Sequence, residues 1–254
     1  MPVILSAAKN PHVADLRFFA ALRMTGETEY ENKRTSMSQS DYILRIAEQV
    51  GRALAQILYQ QERQDYQGAL TFIDEQYKQM LGMGAGFIHT APEETLLAFL
   101  TSVGELDTEK CWLLATLLKA EGEIHQAQEN ENESYYCSLK ALNLYLEVLS
   151  TGTSYDHLDP LAEIEGLVHK LADYDLPQHT QEMLFRYFER TGRFSQAEDT
   201  FEELLAASPG NRSIVTKGIA FYHRLQQKSD ATLQAGNISR NAITEGLSRL
   251  TGNT

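Results

Sequence analysis

Seven histidines, at positions 12, 89, 125, 157, 169, 179 and 223, are the side chains best suited to proton transfer or metal ligation near neutral pH. Two stand near acids at helical spacing. Glu165 and His169 are one turn apart, and Glu121, Glu123 and His125 fall close together. Neither group has the H-E-x-x-H spacing that puts two imidazoles and a carboxylate on one ion, so both read as solvated helix surface. The run Gly82-Met-Gly-Ala-Gly86 invites a phosphate-cradling role. Such a loop needs a strand before it and Gly-Lys-Ser/Thr after it, and it has neither, so it reads as a turn. Cys111 and Cys137 are too far apart for a C-x-x-C couple and read as buried small hydrophobes. No serine sits in G-x-S-x-G, and no acid pair has a glycosidase context. Trp112, on a leucine-rich helix, reads as core and not as a stacking platform. No catalytic residue, no cofactor and no metal ligand is therefore assigned, and the expectation is a protein that is not an enzyme.

The elements that would position these groups are helical. Of 254 residues, 35 are acidic and 22 basic, giving a net charge of -13. Hydrophobic and charged fractions of 43% and 22% are those of a folded domain. The acidity opposes general nucleic-acid binding, since phosphates would be repelled. No apolar run approaches the ~20 residues that cross a bilayer, and two cysteines fit a reducing cytoplasm. From Ser40 the residues Ile43, Ala47, Val50, Leu54 and Ile57 step along one face of a helix over about 40–63, with Ser40 or Asp41 as its cap. Further helices are expected over about 66–81, from a capping box at Thr90 to about Ser102, from Asp107 past Ile124, and over 135–149. A polar turn spans 128–133. Beyond the small, polar stretch Thr151–Asp159, helices are expected over 160–174, 177–192, 194–207, 213–227 and 240–250, with a small cap after Asp230. No segment reads as a strand. The fold class is all-α, in antiparallel helix pairs.

Residues 181–209 resemble a tetratricopeptide repeat: Leu184-Phe185-x2-Phe188, Gly192 and Phe194 at the turn, Ala197-x3-Phe201, Leu204 and Pro209. Gln181 replaces the family's tryptophan and Phe185 its glycine. Residues 112–149 are a weaker copy, with Gly122-x2-His125, Ala141-Leu142, and Ser134-x3-Ser138 where an aromatic is expected. The resemblance implies an irregular TPR-like superhelix. The stretch from Asp41 also resembles a family of uncharacterised bacterial proteins, a domain of unknown function. The matching residues are Asp41-Tyr-Ile-Leu-Arg45, Glu48-Gln49, Gly51-Arg52, Gly104-Glu-Leu-Asp107, Glu121-Gly-Glu-Ile124 and Asn241 to Leu247. That resemblance covers about 41–250 and brings no activity with it.

Three regions follow. Residues 1–36 read as a spurious or unpacked extension ahead of a native start at Met37. Residues 37–150 hold N-terminal helical hairpins, and 151–254 a TPR-like portion continuing the same solenoid. Residues 1–36 carry five basic and four acidic side chains, so the acidity belongs to the helical body. In a solenoid the first helix of each pair lines a concave surface, which puts Lys119, Glu123, Glu182, Arg186 and Arg190 at a groove for a protein or peptide partner. The spacing of Glu182, Arg186 and Arg190 by four also allows them to pair along one helix. The leading expectation is a cytoplasmic interaction module. One alternative is a small-molecule-binding or sensory domain, which needs a pocket with converging histidine and acid side chains. The other is a self-associating structural protein, its homodimer sealed by the stripe on residues 43–57. Mass spectrometry of the natively expressed protein checks the start at Met37: peptides are expected from Ser38 onward, and peptides between Pro2 and Arg34 would remove it.

Overall fold

The computed structural model describes residues 37–152 and 160–252. The extension 1–36 and the stretch 153–159 lie outside them, as do the side chains of Ser40, Asp41, Ile43 and Ala47. Among the described residues are twelve α-helices and one pair of two-residue strands, so the protein is all-α. No helix among them is long and apolar enough to cross a membrane. The chain forms two compact units, the first ending at Leu171 and the second starting at Ala172.

The first unit is laid down by α1 (Met37–Glu62), α2 (Tyr66–Gln76), a π-helical turn (Tyr77–Leu81), α3 (Ala85–Thr90) and α4 (Glu93–Phe99). Then come β1 (Thr101–Ser102), β2 (Glu105–Leu106), α5 (Thr108–Ala127), α6 (Glu131–Ser150) and α7 (Pro160–Lys170). Its core is the α5–α6 pair. Asp107 caps α5, its side chain accepting from Lys110 N at 3.1 Å. Cys111 to Leu118 are buried without a break, the mark of a helix covered on all sides. Trp112 lies in this core, its ring edge-on to Tyr145 at 6.5 Å. The α1 stripe closes on the same core through Val50, Ala53 and Ile57, so that part of it is spent inside the unit and does not form an external seam. Ala69 and Ile73 of α2 join it.

The two helices of the α5–α6 pair approach closely at Gly122. A Cβ there would meet Ser138 Oγ at 2.9 Å, Ser134 O at 3.2 Å and Cys137 Cβ at 3.3 Å. This explains why the weaker repeat copy has serines where an aromatic was expected: Ser134 and Ser138 are buried and small, and a ring would force the helices apart. It also explains why α6 starts at Glu131, inside the stretch expected to be a polar turn. Ser134 must already be helical to donate its hydroxyl to Gly122 O at 2.8 Å. Helix α7 belongs to this unit as well. Lys119 donates to Glu163 at 2.7 Å, and Lys170 to Gly122 O at 3.3 Å.

Two local expectations are corrected. Thr90 does not open a capping box: its hydroxyl bonds back to Gly86 O at 2.7 Å as the last residue of α3, and α4 starts behind Pro92. The helix expected to reach Ser102 ends at Phe99, and β1 and β2 form an antiparallel pair. Val103 and Gly104 link them with φ of 53° and 82°, as a two-residue hairpin turn requires.

The second unit comprises α8 (Gln178–Arg190), α9 (Phe194–Ala207), α10 (Arg212–Gln226), α11 (Asp230–Ala235) and α12 (Arg240–Gly252). Its core is aromatic. Phe185 lies 5.8 Å from Phe201 and 5.1 Å from Phe221, and Tyr222 stands perpendicular to Phe201 at 6.2 Å. These rings rest on glycines. A Cβ on Gly218 would fall 2.1 Å from Phe201 Cζ, and one on Gly246 would fall 2.3 Å from Tyr222 Cζ. Gly218→Ala is therefore expected to cost about 1–3 kcal/mol through overpacking. Gly86→Ala, in a helix with open space around it, should leave stability unchanged or raise it. Urea denaturation of both variants checks the contrast.

Candidate functional site

On α5 the core-facing positions run through Leu114, Leu117, Glu121 and Ile124, so a carboxylate takes a place where the helix otherwise presents apolar groups. Glu121 is 4% exposed. A carboxylate this deep must be hydrogen-bonded or paired. Tyr77, fully buried at the start of the π turn, donates its hydroxyl to Glu121 Oε2 at 2.8 Å. The Nε2 of His89, on α3, lies 3.1 Å from each carboxylate oxygen. His125, one turn further along α5, brings its Nε2 to 3.9 Å from Oε1. The buried thiol of Cys137 on α6 completes the group: its Sγ, a carboxylate oxygen of Glu121 and a ring nitrogen of His89 all lie within 4.8 Å of one another.

The surrounding chain holds this arrangement at both ends of α3. Gly82 ends the π turn with φ of 71°, and Gly84 opens α3. The glycine run is thus a tight reversal. Asp74 of α2 accepts from Ala85 N at 2.7 Å, which pins the first turn of α3. At the other end Lys140 of α6 donates to Ile88 O and His89 O, both at 2.7 Å, and to Ala91 O at 3.2 Å. One ammonium thus satisfies the carbonyls that end the helix carrying His89.

The electrostatics follow. The hydrogen bond to Glu121 raises the His89 pKa above its ordinary 6.5, against an opposing effect of burial. Burial, reinforced by the charge of Glu121, pushes the Tyr77 phenol and the Cys137 thiol well up, so both stay protonated. Among the described residues, none of the hydrogen-bond or ion-pair partners of Glu121 is a lysine or arginine. The Nδ1 of His125 is buried without a partner. The cluster can hold a proton between carboxylate and imidazole, and it presents one oxygen, one nitrogen and one sulfur donor from three elements.

The residues read from the sequence as groove-lining fall into the two units and are described within each. Lys119 and Glu123 are half-buried in the first unit, where Lys119 binds Glu163 at 2.7 Å and lies 3.9 Å from Glu123. Glu182 and Arg186 of α8 line a cleft of about 410 Å³ floored by Phe185, Phe201, Leu204 and Ile214. Arg190 lines an adjoining cleft of about 590 Å³, which shares Arg186, Glu189 and Arg224 and adds Lys228. The acids here bind across helices. Glu182 accepts from Lys217, and Glu189 from Arg224 through two bonds of 2.6 and 2.8 Å. Arg186 instead donates to the backbone oxygen of Glu182 at 3.2 Å. The first unit also has a cleft of about 680 Å³, lined by Gln49, Arg52, Gln56, Gln76 and Gln79 among others, with no histidine and no acid among the described residues of its wall.

The sequence brought Glu121 and His125 together but read them as solvated helix surface; Glu121 is instead buried, as a glutamate in register with leucines on a core stripe signals. Tyr77, His89 and Cys137 were missed because they lie far from it in the chain.

Residues 37–254 match the model of a family of unknown function (DUF6483), and the chain belongs to that family. The match begins at Met37, where the helical body was expected to start, and extends the resemblance first seen from Asp41. No curated protein and no solved structure matches the chain.

Because the folded pKa of His89 lies above the unfolded one, its charged contact with Glu121 stabilises fully below about pH 6.5 and is lost as pH rises through the raised value. His89→Ala is expected to lose more stability at about pH 6 than at about pH 9 in the presence of chelator. Denaturation at the two pH values measures this, and an NMR titration should place the native His89 above 6.5.

Proposed function

We propose that the protein is a non-enzymatic, TPR-like interaction module of the bacterial cytoplasm, and that its second unit binds acidic segments of a partner protein. The carrying observation is the charge of the paired clefts on α8 and α10. Arg186, Arg190, Lys217, Arg224 and Lys228 face them, against Glu182 and Glu189. Both acids are already engaged by Lys217 and Arg224. A net positive wall over an apolar floor, in a chain of charge -13, suits an acidic segment carrying an aromatic or aliphatic anchor. The phenylalanine floor offers that anchor a place, and the basic rim offers the charge.

The repeat spacing supports the same reading. Phe188, Phe194 and Phe201 are buried, Ala197 is fully buried between helices, and Gly192 takes the turn with φ of 78°. Both cysteines are free thiols, in keeping with a reducing compartment. Nucleic acid and membrane are not the partners proposed.

Selection of the full chain against a displayed peptide library tests the reading. Enrichment of acid-rich peptides with one apolar anchor is expected, with affinity falling as salt rises. Arg186→Glu should weaken them tenfold or more. A library with no enriched peptides, or binders indifferent to Arg186→Glu, would overturn it.

A further inference from the structure

We propose that His89, Glu121 and Cys137 form a binding site for a divalent transition-metal ion of borderline softness, with Zn²⁺ as its closest chemical fit. This goes beyond the peptide-binding reading and stands on the first unit alone. Three different donor atoms, from α3, α5 and α6, already lie within 4.8 Å of one another. Ligand atoms around a tetrahedral Zn²⁺ stand roughly 3.5 Å apart, so a small closure completes the set. Mixed nitrogen, oxygen and sulfur donors favour such an ion over Mg²⁺ or Ca²⁺, which take oxygens.

Four features of the surroundings argue for an ion and not merely a proton-sharing pair. Glu121 is a buried carboxylate with no lysine or arginine among its partners, so a cation supplies the missing charge. Tyr77 donates to Glu121 Oε2 and so fixes the carboxylate in the orientation that offers its other oxygen. Gly122 lets α6 come close enough for the Cys137 thiol to reach that carboxylate; a Cβ there would crowd Ser138 Oγ at 2.9 Å and Cys137 Cβ at 3.3 Å. His125 stands one turn beyond Glu121 with a buried, unpartnered Nδ1 and its Nε2 at 3.9 Å from Oε1, so an unsatisfied polar side chain borders the three donors. The imidazole of His89 is one-third exposed, so the ion enters past it and the same side chain makes the closing movement. As the sulfur–metal bond forms, the thiol proton passes to solvent.

Titration of the full chain with Co²⁺ tests the site. One equivalent should bind with a near-ultraviolet thiolate-to-metal absorption, and Zn²⁺ should displace it. Cys137→Ser should abolish that absorption while circular dichroism keeps its helical signal. His89→Ala, on a short helix outside the α5–α6 pair, should weaken binding tenfold or more and decides the matter if Cys137→Ser fails to fold. Binding below one equivalent, a spectrum without the thiolate band, or affinity unchanged in His89→Ala would overturn the assignment.

Discussion

The carboxylate of Glu121 sits on the buried face of α5, beside a close approach of α5 and α6 at Gly122. Much of the first unit is arranged around these two facts. Gly122 permits the approach, Ser134 and Ser138 keep it small, and Lys170 and Ser134 both bond the Gly122 carbonyl. The π turn then carries Tyr77 under the carboxylate, and α3 carries His89 over it. A buried charge that lost all of these contacts would cost several kcal/mol, so the polar contacts and the packing support one another.

The second unit solves a different problem with the same device. Its core is a stack of rings, and flat rings leave no room for side chains on the helix they press against. Gly218 and Gly246 clear that room, and Gly236 does so for Phe194. Its surface charges are handled across helices, with Glu182 bound to Lys217 and Glu189 to Arg224. The clefts beside α8 and α10 are thus lined by five basic and two acidic side chains in a chain that is acidic overall.

The helices were legible where local signals agree. Phe194–Ala207 was bounded correctly by its turn and by Ser208-Pro209, and Asp107 marked the start of α5. The errors have physical causes. Thr90 satisfied the capping-box pattern but spends its hydroxyl on its own helix, and the β1–β2 hairpin is too short for alternation to register. Gly82 to Gly84 form the turn read from the glycine run, but Ala85 and Gly86 already belong to α3, and nothing local indicated that a helix carrying His89 starts there. Cys137 reads as a small hydrophobe from its sequence context, and it is buried; its neighbours Glu121 and His89 are products of tertiary packing alone. The pairing of Glu182 with Lys217 was hidden for the same reason, since helical spacing pointed to Arg186.

Helix α3 is six residues long and takes part in no strand pairing. Side chains from elsewhere tie down its two ends, Asp74 at the first turn and Lys140 at the last. A segment held this way can come away without the long helices unfolding, because its release breaks a few polar contacts and uncovers only Ile88 among its buried side chains. The amide protons of α3 then exchange on their own clock, faster than those of α5 and α6. Solvent reaches the Glu121 carboxylate at the rate of that local opening, far oftener than the unit as a whole unfolds.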